Sequence, residues 1–76
     1  MDFCISNIEP VQLNDAGNEL ENYGVTSLAI LAYECCMYHG LLTLSNYCRL
    51  ASIYLRKGDT ENYNRVTHRY HQMLGR

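Results

Sequence analysis

The hydrophobic pattern of the chain changes at Gly24. Before it the pattern is least regular, and Phe3, Ile5, Ile8, Val11 and Leu13 show a partial alternation. Pro10, Gly17 and the asparagines Asn7, Asn14, Asn18 and Asn22 punctuate this stretch. Asparagine and glycine favour turns, and proline suits a helix only in its first turn. Residues 1–24 therefore read as an irregular N-terminal arm, either extended or with a loose helical turn beginning near Pro10.

After Gly24 the spacing becomes helical. The run SLAILAYECCMYH, with Thr26 or Ser27 as cap, leads to Gly40, a residue suited to the left-handed position after a helix. Leu28, Ala29, Ile30, Leu31, Ala32, Cys35 and Met37 make this segment apolar on most sides, the mark of a central, buried helix. A second helix is predicted from about Leu42 to Lys57, stopping at Gly58. Its stripe is Leu44, Tyr47 with Cys48, Ala51, and Tyr54 with Leu55, and Arg56 and Lys57 complement the helix dipole in its last turn. A third opens at Asp59 or Thr60, carries Tyr63, Val66, Tyr70, Met73 and Leu74 on one face, and ends at Gly75. Turns this short leave no room for a crossover, so the helices pack largely antiparallel. The predicted fold is all-α: a small three-helix antiparallel bundle over residues 25–76, preceded by the arm.

Size sharpens this picture. A chain of 76 residues buries only about 60% of the surface that its unfolded form exposes. Such domains lean on disulfides, a metal or a partner. The cysteines are Cys4, Cys35, Cys36 and Cys48, two of them adjacent, and the opening MDFCISNIEP has acids where a secretory signal needs bases. Reduced thiols in a cytoplasmic protein, packing as small apolar groups, are expected. The longest apolar run, Leu28 to Ala32, is far shorter than the roughly 18 to 20 residues of a membrane span. Cys35 or Cys36 with His39, and His68 with His71, have helical spacing for a tetrahedral zinc site, but no C-x-x-C knuckle accompanies them, and no metal or cofactor is expected. No phosphate loop, nucleophile elbow or zinc-protease motif is present. A Cys–His couple such as Cys36 with His71 is conceivable as a nucleophile and base, but so small a chain leaves little room for a pocket. A non-enzymatic protein is expected.

Charge is divided unevenly. The net −2 conceals −6 over residues 1–48 and +4 over residues 49–76, where all six bases lie: Arg49, Arg56, Lys57, Arg65, Arg69 and Arg76. Opposite fields serve complementarity within a fold or between subunits. Nucleic acid is the less favoured partner, because the chain is acidic overall.

Seven tyrosines and no tryptophan point to half-buried contact surfaces, since tyrosine joins a large apolar body to a polar tip. Four of the tyrosines belong to an internal echo. Tyr47 to Tyr54 reads Y-x-R-L-x-x-x-Y, and Tyr63 to Tyr70 reads Y-x-R-V-x-x-x-Y. Tyrosines seven apart share a helix face. In an antiparallel hairpin Tyr54 should lie near Tyr63, and Tyr47 should pair with Tyr70. Two of the four are expected to be core. Arg49 and Arg65 stand about 200° around the helix from the tyrosine two residues earlier, and so point away from the seam, toward a partner's carboxylates or the acidic N-terminal half. The expected partner-binding set is Tyr47, Arg49, Tyr54, Tyr63, Arg65, Arg69 and Tyr70.

The stretch RLASIYLRKGDTENYNRVTHRYHQML, Arg49 to Leu74, resembles one tetratricopeptide-type hairpin. Leu50, Ala51 and Tyr54, the Gly58-Asp59 turn, and Val66 with Tyr70 match; Tyr63 stands where that motif has a small alanine. Through Arg49, Leu50, Ser52, Arg56, Gly58 and Asp59 the chain is similar to the tetratricopeptide-like needle chaperones of type III secretion, which hold an aggregation-prone helical subunit in the cytosol. By its alanine, glycine-aspartate and aromatic spacing it also resembles small AraC negative regulators and PerC-like virulence regulators. The first likeness implies a chaperone-like or adaptor-like module that masks a helical segment of another protein, or associates with itself. The second implies a small regulator that binds a transcription factor or DNA.

Overall fold

The structure, a computed structural model, describes residues 9–75. The alternation read at Phe3, Ile5 and Ile8, and Cys4 and Arg76, lie outside the described residues. The fold is all-α. A 3-10 turn, Pro10–Gln12, leads into α1 (Leu13–Asn22), followed by α2 (Thr26–Tyr38), α3 (Leu44–Arg56) and α4 (Thr60–Leu74). There are thus four α-helices among the described residues, where the pattern predicted three. Residues 13–22, expected to belong to an irregular arm, are helical.

The chain divides into two compact units, Met1–Leu42 and Thr43–Arg76. In the first, α1 packs against α2. Gly17 is buried at this contact: a Cβ there would overlap Cε1 of the Tyr33 ring and stand 2.7 Å from its Cδ1. The missing side chain is the space the ring occupies, and this offsets the roughly 1 kcal/mol that glycine costs inside a helix. The Tyr33 ring is wholly buried, and its hydroxyl lies 2.8 Å from Asn18 Oδ1 and 2.9 Å from Glu21 Oε1 on α1. Asn14, also buried, donates from Nδ2 to the Val11 carbonyl at 3.1 Å and to the Leu41 carbonyl at 3.0 Å. The asparagines that read as turn residues therefore supply cross-links, and Gly17 supplies close approach. Helix α1 ends where Gly24, at φ 82°, turns the chain. The Gly24 N–H donates to the Glu21 carbonyl and the Val25 N–H to the Leu20 carbonyl, a Schellman stop.

Helix α2 does not fulfil its expectation of burial on all sides. Ala29, Ala32, Tyr33, Cys36 and Met37 are buried, at the i, i+3, i+4, i+7, i+8 spacing of one face. Leu28, Leu31, Cys35 and Tyr38 are exposed. Its cap also differs: Val25 precedes the first helical residue, Thr26, without a side-chain bond.

In the second unit α3 and α4 form a hairpin about a core of Tyr47, Leu50, Ile53, Tyr54 and Val66. Both helices are capped by side chains. Thr43 Oγ1 accepts from the Asn46 N–H at 3.3 Å, and Asp59 Oδ1 accepts from the Asn62 N–H at 3.2 Å. Asp59 Oδ2 also accepts from Asn62 Nδ2 at 2.7 Å. These bonds to Asn62, side chain first and backbone second, hold the Asp59 carboxyl below the usual aspartate range. Gly58, at φ 76°, makes the reversal, again as a Schellman stop with Gly58 N–H to Leu55 and Asp59 N–H to Tyr54.

Candidate functional site

The α3–α4 hairpin carries an open groove of about 290 Å³. From α3 it is lined by Tyr47, Cys48, Ala51, Ser52 and Leu55, and from α4 by Tyr63, Thr67, Tyr70 and His71. Two rows explain its form. On α3, Leu44, Cys48, Ala51 and Leu55 recur at steps of four, three and four; on α4, Tyr63, Thr67, Tyr70 and Leu74 do the same. That alternation averages 3.5 residues and is the one by which a helix presents a straight seam to another helix. Leu44, Leu55 and Leu74 are about half exposed, at 46%, 56% and 51%, so the seam is turned outward.

Tyr70 organises the middle of the groove. Its ring centroid lies 6.0 Å from that of Tyr47 at an interplanar angle of 54°, and 5.8 Å from that of His71. A hydrogen bond with the Cys48 thiol, reinforced by the charge that thiol would carry if ionised, raises the Tyr70 hydroxyl above its ordinary pKa. The phenol therefore stays protonated at neutral pH. Thr67 donates its hydroxyl to the Asn64 carbonyl at 3.1 Å, which leaves its methyl group for the groove. The result is an aromatic and aliphatic floor with Ser52, Thr67 and His71 as polar edges.

The expected partner-binding residues divide into three groups. Tyr47 and Tyr54 are buried in the hairpin. Tyr63 and Tyr70 are half-buried and line the groove, and the Tyr47–Tyr70 ring contact has the pairing expected from the sequence. At the turn end it is Leu55, the residue after Tyr54, that lines the groove with Tyr63. Arg49, Arg65 and Arg69 are exposed and do not line it. The Arg65 guanidinium is engaged within its own helix, donating from Nε and Nη2 to Asn62 Oδ1 at 3.1 and 3.0 Å. Cys48, Ala51, Ser52, Leu55, Thr67 and His71 were not in the expected set. The four-three-four spacing of residues 44, 48, 51 and 55 is the signal that finds the first of these.

The thiols differ by environment. Cys36 is wholly buried: burial pushes its pKa up, the neighbouring Cys35 adds to this, and a hydrogen bond with Asn14 offsets part of it. Such a buried thiol packs as a small apolar group. Cys35 and Cys48 are exposed. Among the described residues no three His, Cys, Asp or Glu side chains converge on a common point that could hold a metal ion. None of the described helices is long and apolar enough to cross a membrane. Comparison of the chain with protein-family models, with curated proteins and with solved structures finds no match.

Proposed function

We propose that this protein is a non-enzymatic helix-binding module, chaperone-like or adaptor-like, and that the α3–α4 groove is where it holds its partner. The observation that carries this reading is the open groove lined from α3 by Cys48, Ala51 and Leu55 and from α4 by Tyr63, Thr67 and Tyr70, each row at steps of three and four. Two parallel rows leave holes into which the apolar knobs of a third helix fit, the helix-in-groove mode of recognition. The likeness of Arg49 to Leu74 to a tetratricopeptide hairpin supports it, and so does the likeness to needle chaperones, whose cargo is helical. The groove is open and its lining partly exposed, so a partner's apolar face gains by burying it.

Leu55→Glu tests the proposal. Leu55 is 56% exposed, so the substitution spares the core while placing a carboxylate on the apolar floor. The variant should keep its helical circular dichroism and lose the proteins that the wild type captures, compared side by side after cross-linking in cells. Equal capture by both would refute the groove as the binding site.

A second reading has its own observation. On α4, Arg65, His68 and Arg69 are all exposed on the side away from the groove lining, a basic strip suited to a regulator of transcription. Retention on DNA that falls steeply with salt, and is lost in Arg65→Glu/Arg69→Glu but kept in Leu55→Glu, would decide for it.

A further inference from the structure

We infer that the groove is occupied, in the absence of cargo, by α2 of a second copy of this chain. This rests on the reading of the α3–α4 groove as a dock for a helix. The exposed row of α2, Leu28, Leu31, Cys35 and Tyr38, runs at steps of three, four and three. It is thus a heptad seam of the same period as the groove and about the same length. Its exposure is high for apolar side chains, at 49% for Leu28, 64% for Leu31 and 84% for Tyr38. A row of this kind turned to water is a contact surface in need of a cover.

Charge selects the occupant. Residues 1–42, which contain α2, hold six acids (Asp2, Glu9, Asp15, Glu19, Glu21 and Glu34) and no Lys or Arg, for −6. Residues 43–76, which contain the groove, hold all six bases against Asp59 and Glu61, for +4. Like units of two copies repel each other; unlike units attract. The field therefore disfavours α2 on α2 and groove on groove, and favours α2 of one copy on the hairpin of the other. The contact joins unlike surfaces of two copies, as a heterologous or exchanged interface does.

Side-chain volume sets the register. In an antiparallel hairpin the lining residues fall at three levels counted from the turn, Leu55 with Tyr63, Ala51 with Thr67, and Cys48 with Tyr70, and Leu44 and Leu74 continue the two rows beyond the groove. Ala51 and Thr67 are the smallest pair, whereas Cys48 stands with the rings of Tyr47 and Tyr70. Good packing places large knobs over small lining residues and small knobs over large ones. Leu31 then sits over Ala51 and Thr67, and Cys35 over Cys48 and Tyr70. Leu28 falls at Leu55 and Tyr63, and Tyr38 at the Leu44 end, so α2 runs antiparallel to the α3 that receives it. This register brings the exposed Cys35 of one copy against the exposed Cys48 of the other.

The two thiols make the contact testable in the full chain. With Cys4→Ser in all proteins, Cys35→Ser and Cys48→Ser variants are mixed and treated with diamide. Diamide accepts the two electrons and two protons released as a disulfide forms. A bridge between Cys35 and Cys48 of different copies, found by peptide mass spectrometry, is expected in the mixture and in neither variant alone. By sedimentation the reduced protein should have twice the 8.8 kDa of one chain. Leu31→Glu, and as an independent variant Tyr38→Arg, should return it to one chain and abolish the bridge. The inference is overturned by a monomer at tens of micromolar, by bridges joining only like cysteines, or by a bridge that survives both variants. The groove itself is untouched in Leu31→Glu, so capture of cellular partners should persist or rise. A monomeric wild type whose capture is still lost in Leu55→Glu would sink the dimer alone. A bridged dimer whose capture survives Leu55→Glu would sink the cargo reading alone.

Discussion

The two helix pairs solve the same problem by opposite means. In α1–α2 a glycine and a tyrosine interlock: Gly17 has no side chain, Tyr33 fills its place, and the ring's hydroxyl reaches Asn18 and Glu21. In α3–α4 tyrosines stand on both helices, Tyr47 against Tyr70, and a groove opens along the hairpin. A small residue at a helix crossing lets the two helices close on each other along that face. Bulky residues at a crossing hold the helices apart and leave the rims of half-buried rings, here Tyr63 and Tyr70, as lining. Under the proposal above, the groove left by this incomplete packing is the surface that receives a partner.

The largest effects should come from the interlocking rings. Tyr33→Ala and Tyr47→Ala should each cost about 3 to 5 kcal/mol in urea unfolding, as truncation of a large buried aromatic does. A loss below about 1 kcal/mol at Tyr33 would mean that the first pair does not depend on the interlock.

Gly17→Ala separates the two pairs more finely. In the wild type it should destabilise by about 1 to 3 kcal/mol, because the new methyl group meets the Tyr33 ring. In a Tyr33→Ala background the same change should become stabilising by up to about 1 kcal/mol, because only the helix preference for alanine remains. In a Tyr47→Ala background it should stay destabilising. A double-mutant cycle that shows no coupling between residues 17 and 33 would break the comparison.

Smaller still is the cap of the second pair. Thr43→Ala removes the acceptor for the Asn46 N–H and should cost about 1 kcal/mol, with no change in the first pair. Amide exchange resolved by helix would show this.

The smallest effect is a pH dependence at Asp59. Its carboxyl titrates below the ordinary value of about 3.9, so it favours folding when ionised. That contribution is complete above the unfolded value and is lost as pH falls through the lower, folded one. The melting temperature should therefore drop on acidification in this range, and Asp59→Asn should flatten the slope there. An unchanged slope would show that other carboxylates set it.

Much of this architecture was legible from local signals. The stops at Gly40 and Gly58, the cap at Asp59 and the stripes of α3 and α4 depend on residues within a turn of one another, and all were readable. The Tyr47–Tyr70 contact followed from an antiparallel hairpin with a short turn. Helix α1 was not legible. Its buried face is Asn14 and Gly17, flanked by the half-buried Leu13, Ala16 and Leu20, and a pattern reader scores asparagine and glycine as breaks.

The sequence by itself determined that the chain is helical, where three of its helices lie, and that all six bases lie at or after Arg49 with six of the eight acids before it. Those properties are sums over neighbouring residues. Only the tertiary structure decided that Gly17 is an interior position, since the ring that needs it is sixteen residues further along the chain. It also decided which side of α2 is covered. Leu28 and Ala29 are adjacent and both apolar, yet Ala29 is buried and Leu28 half exposed, because α1 packs against one face of α2 and not the other. The groove residues Cys48, Ala51, Leu55 and Thr67 became a surface for the same reason. A helix has several faces that hydrophobicity alone would accept, and its packed neighbour selects among them.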